Sequence, residues 1–326
     1  MLIDEKGSGN LLIKYEIRKI IKNPIVWILM LFFLVINILN IEMQVHDYKK
    51  DIKLTHQYIL NDKIDKEYLN SVVSIYDDFN MQIVKNTKMD LYDYNPSGKY
   101  KLFIDNCYKK LEKRVEEIKN DGESTQLTYP GQVYRLHKLL YYNIFKKLLL
   151  EMAVVISICT LFLMDYERIN NTTGIVYATK KGRTIQKSKM ISAMIAGSVI
   201  NGILMIGTLG YYFANISYKG LWNTSLSSAM AMESRGILKY PFITYAKMSY
   251  AKYLLFTICY ATVLIILISV LSSAIQLVTN NSYISIIIVV ITMLGLLNVL
   301  QFSTNTWFDL LISFYHHLVI IFCSFN

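Results

Sequence analysis

Long apolar stretches alternate with charged segments along this chain. A helix needs about 20 apolar residues to cross the hydrocarbon core of a bilayer, with a range of about 17 to 25. Four stretches of that length carry no charge, and they are residues 23–41, 190–213, 253–278 and 284–300. Residues 148–164 are apolar apart from Glu151, and residues 310–325 form a last apolar piece. The pattern predicts an all-α, polytopic membrane protein with five to six transmembrane helices.

The segments between these stretches predict the domain organisation. We expect a cytosolic amphipathic helix at residues 1–22, a first span at 23–43 and a helical extracytoplasmic domain at 44–147. A second span at 148–164 and a cytosolic loop at 165–189 follow. Residues 190–326 then contain the transmembrane helices 3–6, with an outer loop at 214–252. In the extracytoplasmic segment, apolar residues recur at three- and four-residue steps over 64–79 and 103–118, followed by the stop signal Asp121-Gly122. Its 18 basic and 15 acidic residues are well mixed, as on a solvated surface.

Charge placement predicts the orientation of the spans. The 326 residues are 53% apolar and 18% charged, against about 25% charged in soluble domains, and carry a net charge of +10. Five basic residues precede the first span and six lie in 165–189, whereas the loop 214–252 carries five. Basic residues in short segments stay on the cytosolic side, so we expect a multi-pass protein of the cell membrane with a cytosolic N-terminus. The same placement indicates contact with anionic membrane lipid and no nucleic-acid partner.

Motifs for catalysis, nucleotide binding and metal binding are missing from the sequence. Lys181-Gly182-Arg183-Thr184 lacks the first Gly and the Lys of a phosphate-binding loop, and no HExxH occurs. We therefore expect no enzyme activity, no catalytic residue, no metal site and no cofactor bound by this chain. Glu151 follows Lys147 by one helical turn, which favours an ion pair, with a proton relay as the alternative.

Small and polar residues inside the spans indicate how the helices associate. Ala193 and Gly197, and likewise Ser198 and Gly202, are four residues apart, a spacing that lets helices approach closely. We expect this stripe to pack within one subunit, with a dimer interface as the alternative. Asn201 and Asn298 are expected to form hydrogen bonds between helices.

The segment before the first span, LLIKYEIRKIIK over residues 11–22, interleaves apolar and basic residues. Such a helix beside a span typically lies in the membrane interface. The Asn23-Pro24 pair is expected to separate it from the first span. Its candidate interfacial residues are Lys14, Tyr15, Arg18 and Lys19. A simple orientation anchor is the alternative.

The cytosolic loop, DYERINNTTGIVYATKKGRTIQKSK, is longer than two crossings need and contains helix-breaking glycines. Here the sequence resembles the permease subunits of type-2 bacterial ABC exporters. That family shows a Glu near the inner end of the second span, then a Gly, a Thr, a Gly-Arg pair and a Lys. The matching positions are Glu167, Gly174, Thr179, Gly182, Arg183 and Lys189. The opening KYEIRKIIKNP, the long outer segment and residues 248–254 are also similar, whereas Lys181 replaces a frequent Pro.

The resemblance implies a permease that exports an amphipathic or apolar substrate, such as an antimicrobial peptide or a drug. ATP and Mg would bind a separate ABC ATPase subunit, and a second permease copy or a paralogue would complete the transporter. The loop from Glu167 to Lys189, including Arg168, would couple to the ATPase, with Glu167 and Arg183 on the docking surface. The alternative function is a membrane receptor whose outer domain binds a ligand and signals through this loop. The alternative for the loop itself is that its charges only set topology.

Overall fold

The structure is a computed structural model that describes residues 5–58, 98–123, 126, 138–178, 185–218, 221–227, 232–235, 238–241, 243–244 and 246–298. It is mostly helical. The helices are α1 (Glu5–Ile21), α2 (Pro24–Tyr58), α3 (Gly98–Asn120), α4 (Lys146–Met164), α5 (Tyr166–Ile169), α6 (Thr173–Tyr177), α7 (Ile185–Asn215), α8 (Tyr250–Thr279) and α9 (Ser282–Asn298). A π-helical segment, Lys138–Phe145, runs directly into α4, and two short strands are β1 (Met232–Arg235) and β2 (Leu238–Pro241).

Among the described residues, four helices are long and apolar enough to cross a membrane, as in a multi-pass membrane protein. They are Pro24–Lys50, Leu139–Met164, Ile185–Asn215 and Tyr250–Thr279. The predicted fifth span falls on α9, of which Ser282–Thr292 is a shorter apolar helix. The predicted sixth span at 310–325 and the helical pattern at 64–79 lie outside the described residues.

The break between α1 and α2 lies at the predicted Asn23-Pro24 pair. The Asn23 side-chain oxygen accepts a hydrogen bond from the Ile25 backbone N–H at 3.0 Å, as a helix-capping residue does. Pro24 takes the first helical position, where its missing N–H has no cost. The Trp27 indole N–H donates to the Ile21 carbonyl at 2.7 Å and thereby satisfies the end of α1.

The chain divides into two compact units, and the first comprises residues 1–43, 144–216 and 258–302. In this unit α4 is the central helix, and α7 packs closely along it. A Cβ added to Gly197 would lie 2.1 Å from the Ile156 side chain, so the absence of a side chain there permits the close approach. The Asn201 side-chain N–H donates to the Met152 carbonyl at 3.0 Å. Ala193 and Gly197 therefore pack within one chain, and Asn201 forms the expected bond between helices.

Apolar side chains also cover the outer faces of the long helices. Ile28, Ile206 and Val278 are 66%, 72% and 83% exposed, respectively. A soluble protein rarely exposes contiguous apolar surface of this extent. These faces are suited to contact with lipid hydrocarbon.

The second unit comprises residues 44–143, 217–257 and 303–326. Its helix α3 ends at Asn120, and Gly122 adopts a left-handed φ of 66°, which agrees with the predicted stop signal. Within the segment 214–252, which the sequence predicts as an outer loop, β1 and β2 form an antiparallel pair. Each strand has only four residues, too few for an alternating pattern to stand out in the sequence.

Candidate functional site: the ion cluster at Glu167

The loop after α4 folds into two short helices, α5 and α6. Asn171 separates them with a φ of 55°, a left-handed conformation that Asn tolerates better than most residues. Its neighbour Thr172 donates its backbone N–H to the Glu167 carbonyl at 2.8 Å and closes the turn. The predicted helix breaker Gly174 lies inside α6 instead. The helix break therefore depends on Asn171 and its local hydrogen bonds, and the Gly at 174 is compatible with a helical turn.

Glu167 lies at the centre of a buried group of charges. Its carboxylate accepts hydrogen bonds from Lys189 at the start of α7 and from Lys19 of α1, the latter at 3.0 Å. Lys19 also bonds Glu16, one turn earlier in α1, at 2.7 Å. We call Glu16, Lys19, Glu167 and Lys189 the Glu167 cluster. It joins the helix before the first span, the loop after the second and the helix of the third.

Aromatic rings and a backbone carbonyl complete the surroundings of the two lysines. The Lys19 ammonium lies 4.3 Å from the centre of the Tyr166 ring and 5.1 Å from that of Tyr15. Such contacts stabilise a cation in addition to its ion pairs. The Lys189 ammonium also donates to the Met164 carbonyl at 3.3 Å, at the end of α4.

The cluster is largely shielded from solvent and balanced in charge. Lys189 and Glu16 are 0% and 1% exposed, respectively. Two ammonium groups face two carboxylates, so no net charge is buried. Removing one partner of a buried ion pair typically costs about 3–5 kcal/mol. The cluster therefore holds these three parts of the chain together more firmly than a surface ion pair does.

Asp165 connects the same loop to the far end of α8. One of its carboxylate oxygens accepts from the Gln276 amide at 3.3 Å, and the other from the Ser282 hydroxyl at 2.6 Å. Arg168 donates to this second oxygen at 2.9 Å. The segment from Asp165 to Arg168 thus contacts α1, α7, α8 and the start of α9. A displacement of this segment would act on every long helix of the first unit except α2.

Hydroxyl groups continue this contact along α4 and α8. Thr160 and Ser269 form a hydrogen bond at 2.8 Å, and Ser272 donates to Ser157 at 3.4 Å. All four side chains are buried. Polar contacts of this kind hold membrane helices together where apolar packing offers no advantage over lipid.

No family model, curated protein or solved structure matches this chain. Its function must therefore be argued from the residues and their geometry.

The sequence-predicted site residues occupy three different environments. Glu167 and Lys189 are buried in the cluster, so the Glu167 carboxylate is engaged within the chain and not displayed on a docking surface. Arg168 and Gly174 are exposed on the loop. Thr179, Gly182 and Arg183 lie outside the described residues. Of the interfacial residues, Lys14, Tyr15 and Arg18 are exposed on α1, whereas Lys19 points into the cluster.

Sequence reasoning missed Glu16, Asp165, Gln276 and Ser282 as parts of this site. Glu16 is the single acidic residue among the basic positions of residues 11–22, which is a signal that one face is not solvated. Asp165 comes directly after an apolar span, where a carboxylate has to find a partner. Gln276 and Ser282 flank a polar turn, and their spacing carries no further signal.

The second unit contains another buried ion pair, Arg114 with Glu123. The Arg114 guanidinium bonds the Glu123 carboxylate at 2.8 Å and the Thr244 carbonyl at 3.3 Å. The Ser225 hydroxyl donates to the same carboxylate oxygen at 2.6 Å, and that of Ser227 lies 2.9 Å from the Thr244 hydroxyl. We call these five residues the Arg114 cluster. The predicted solvated surface of the segment 44–147 is therefore wrong at Arg114 and Glu123, which are 3% and 0% exposed.

Metal binding finds no support in the part of the chain that is described. Among those residues, no group of three or more His, Cys, Asp or Glu side chains is arranged to hold an ion.

Proposed function

We propose that this chain is the membrane-spanning subunit of a bacterial ABC exporter, driven by ATP hydrolysis on a separate subunit. The observation that carries the proposal is the Glu167 cluster. A transport subunit of this kind needs a short cytosolic segment whose movement reaches several spans together. The segment from Asp165 to Arg168 has the contacts for that task, through Glu167 to α1 and α7 and through Asp165 to α8 and α9.

In this proposal, the exposed part of the loop meets the ATPase. Arg168, Ile175 and Tyr177 are exposed around α5 and α6 and are available for such a contact. Closure of the ATPase dimer around ATP would push this surface. The buried charges of the Glu167 cluster would then transmit the movement to the spans, because a paired charge cannot leave its partner without a large energetic cost.

We also propose five to six spans with a cytosolic N-terminus, which places residues 44–147 and 214–252 outside the cell. The Arg114 cluster supports this arrangement, because Glu123 of the first segment bonds Ser225 of the second. Both segments must then lie on the same side of the membrane. With the native cysteines removed, a membrane-impermeant maleimide should label Lys113→Cys in intact cells and fail to label Lys187→Cys. The opposite result would reverse the orientation.

The central experiment is purification of the tagged chain from its native membrane, followed by an ATPase assay in liposomes. A stoichiometric ABC ATPase whose ATP hydrolysis this chain stimulates is the expected result. A kinase in its place would favour the receptor function, and the absence of any ATPase would overturn the proposal. Arg183→Glu should reduce the stimulation, whereas Lys113→Glu, a charge reversal at an exposed position of the proposed extracytoplasmic segment, should leave it unchanged. Equal stimulation by both variants would overturn the docking role of Arg183.

A further inference from the structure

Glu151 is a carboxyl group buried among three of the candidate membrane spans. Its side chain is 7% exposed, and one oxygen lies 2.6 Å from the side-chain amide of Asn37 on α2. The same amide group lies 3.2 Å from the Thr208 hydroxyl on α7. Asn37 and Thr208 are themselves 1% and 0% exposed. The carboxyl group therefore contacts one neutral amide, which in turn contacts one neutral hydroxyl.

The ion pair expected between Glu151 and Lys147 is not formed. Lys147 donates instead to the Asn40 side-chain oxygen on α2 at 2.9 Å. Among the described residues, no Lys or Arg lies within ion-pair distance of Glu151. The charged and titratable groups near this end of the three helices are Lys146 and Lys147 on α4, Glu42 on α2 and Tyr211 on α7, and the last two bond each other.

An ionised carboxylate in this position would have Lys147 nearby but, among the described residues, no counter-charge within ion-pair distance. The cost of burying an unpaired charge is several kcal/mol, whereas a neutral carboxylic acid needs only ordinary hydrogen-bond partners. The separation of 2.6 Å between the Asn37 amide and the Glu151 carboxyl group is a hydrogen-bond distance.

Asn37 can serve both charge states of Glu151. With its nitrogen towards Glu151 and Thr208, the amide donates to an ionised carboxylate and to the hydroxyl. After a half-turn of the amide, its oxygen accepts from the carboxyl O–H and from the Thr208 O–H. The Glu151 carboxyl group and the Thr208 hydroxyl thus keep Asn37 as a partner in either state.

We propose that Glu151 is a proton-binding site within the spanning helices. In the bound state the carboxyl O–H donates to the Asn37 oxygen. On release the O–H bond breaks, the proton passes to a water molecule, and the Asn37 amide turns to donate to the carboxylate. The inference rests on the spans and this contact, and it is independent of the proposed transport subunit.

Infrared difference spectroscopy of the purified full chain in lipid nanodiscs tests the site. Spectra recorded from about pH 9 to about pH 5 should show one protonated-carboxyl band that grows as the pH falls and is lost in Glu151→Gln. Glu42→Gln, which neutralises an exposed carboxyl on the adjacent helix, should keep the band. A wild-type spectrum without a band that depends on Glu151 would overturn the proposal.

A second variant keeps the test decisive if Glu151→Gln does not fold. Thr208→Val removes the hydroxyl that shares the Asn37 amide and preserves the shape of the side chain. The carboxyl band should shift in frequency, because the Asn37 amide then bonds Glu151 alone and no longer also bonds the Thr208 hydroxyl. A band at an unchanged frequency would show that this carboxyl is not the titrating group.

Discussion

The Arg114 cluster and the Glu167 cluster are built from different cations, and this difference separates a contact of fixed geometry from one with alternative partners. In the Arg114 cluster, a planar guanidinium bonds Glu123 and the Thr244 carbonyl, and Ser225 donates to the same carboxylate oxygen. In the Glu167 cluster, two lysines on flexible stems share one carboxylate. Arg holds its partners in a fixed fork, whereas a Lys ammonium is a point charge that can turn among several acceptors.

The two clusters also differ in how many alternatives each charge has. Glu123 depends on one guanidinium for a close ion pair, since Lys247 remains 3.8 Å from its other oxygen. Glu167 has Lys19 and Lys189, and Lys19 has a second acid in Glu16. Loss of a single residue should therefore damage the Arg114 cluster more than the Glu167 cluster.

Arg114→Met should have the largest effect on stability. It leaves the fully buried Glu123 carboxylate without its cation, which should lower the free energy of unfolding by about 3–5 kcal/mol. Thermal unfolding of the purified protein and hydrogen exchange of residues 98–123 would measure the loss. Lys113→Met is the matched control, because Lys113 is exposed beside Arg114 on α3 and its removal should cost less than about 0.5 kcal/mol.

A double variant checks the cause of that loss. Arg114→Met combined with Glu123→Leu removes both buried charges and should be more stable than Arg114→Met alone. If the double variant is less stable than the single one, the ion pair itself is not what holds the unit together.

Lys189→Met should have the next largest effect. Glu167 keeps its bond to Lys19, so the expected loss of stability is about 1–3 kcal/mol, smaller than for Arg114→Met. The same thermal assay measures it, with Lys187→Met on the exposed face of α7 as the control. The double variant that exchanges the two charges, Lys189→Glu with Glu167→Lys, should be more stable than Lys189→Met. A Lys189→Met variant as unstable as Arg114→Met would show that the two clusters do not differ in redundancy.

The sequence predicts the parts of this architecture that follow from long periodic patterns. The four candidate spans, the break at Asn23-Pro24 and the end of α3 near Asp121-Gly122 all come from apolar length, a proline and a glycine, which act locally. The loop at 165–189 was recognisable by its length and its charges. These signals need no knowledge of which helices are neighbours.

The pairings inside both clusters could not be predicted, because they depend on tertiary contacts. Lys19 and Glu167 are 148 positions apart, and Ser225 and Glu123 are 102 apart. Lys147 and Glu151 show the opposite error. Their spacing on one helix favours an ion pair, but each has a polar partner on α2 instead. A pattern along one helix does not include the polar groups that an adjacent helix supplies.

Lys19→Met should lower global stability about as much as Lys189→Met does and should also have a clear local effect. Glu167 keeps Lys189, but the buried Glu16 carboxylate loses its hydrogen-bond partner, so the expected loss is again about 1–3 kcal/mol. The cation contacts with Tyr15 and Tyr166 also disappear, and α1 loses its charged link to the loop. Hydrogen exchange should therefore rise in α1 and remain unchanged in α4. Lys22→Met, at an exposed position just beyond α1, is the control, and equal exchange in both variants would contradict a role for Lys19 in holding α1.

Glu16→Gln should have the smallest effect of the four. One carboxylate oxygen of Glu16 bonds Lys19, while the other has no hydrogen-bond partner among the described residues. Gln keeps an oxygen acceptor for Lys19, which also retains Glu167, so the expected change in unfolding free energy is below about 1 kcal/mol. Thermal unfolding of Glu16→Gln and of Lys189→Met, measured side by side, compares the two losses of stability. A loss of stability as large as that of Lys189→Met would contradict this reasoning. It would mean that the equal number of positive and negative charges stabilises the cluster, and that the second acceptor of Lys19 does not compensate for the lost charge.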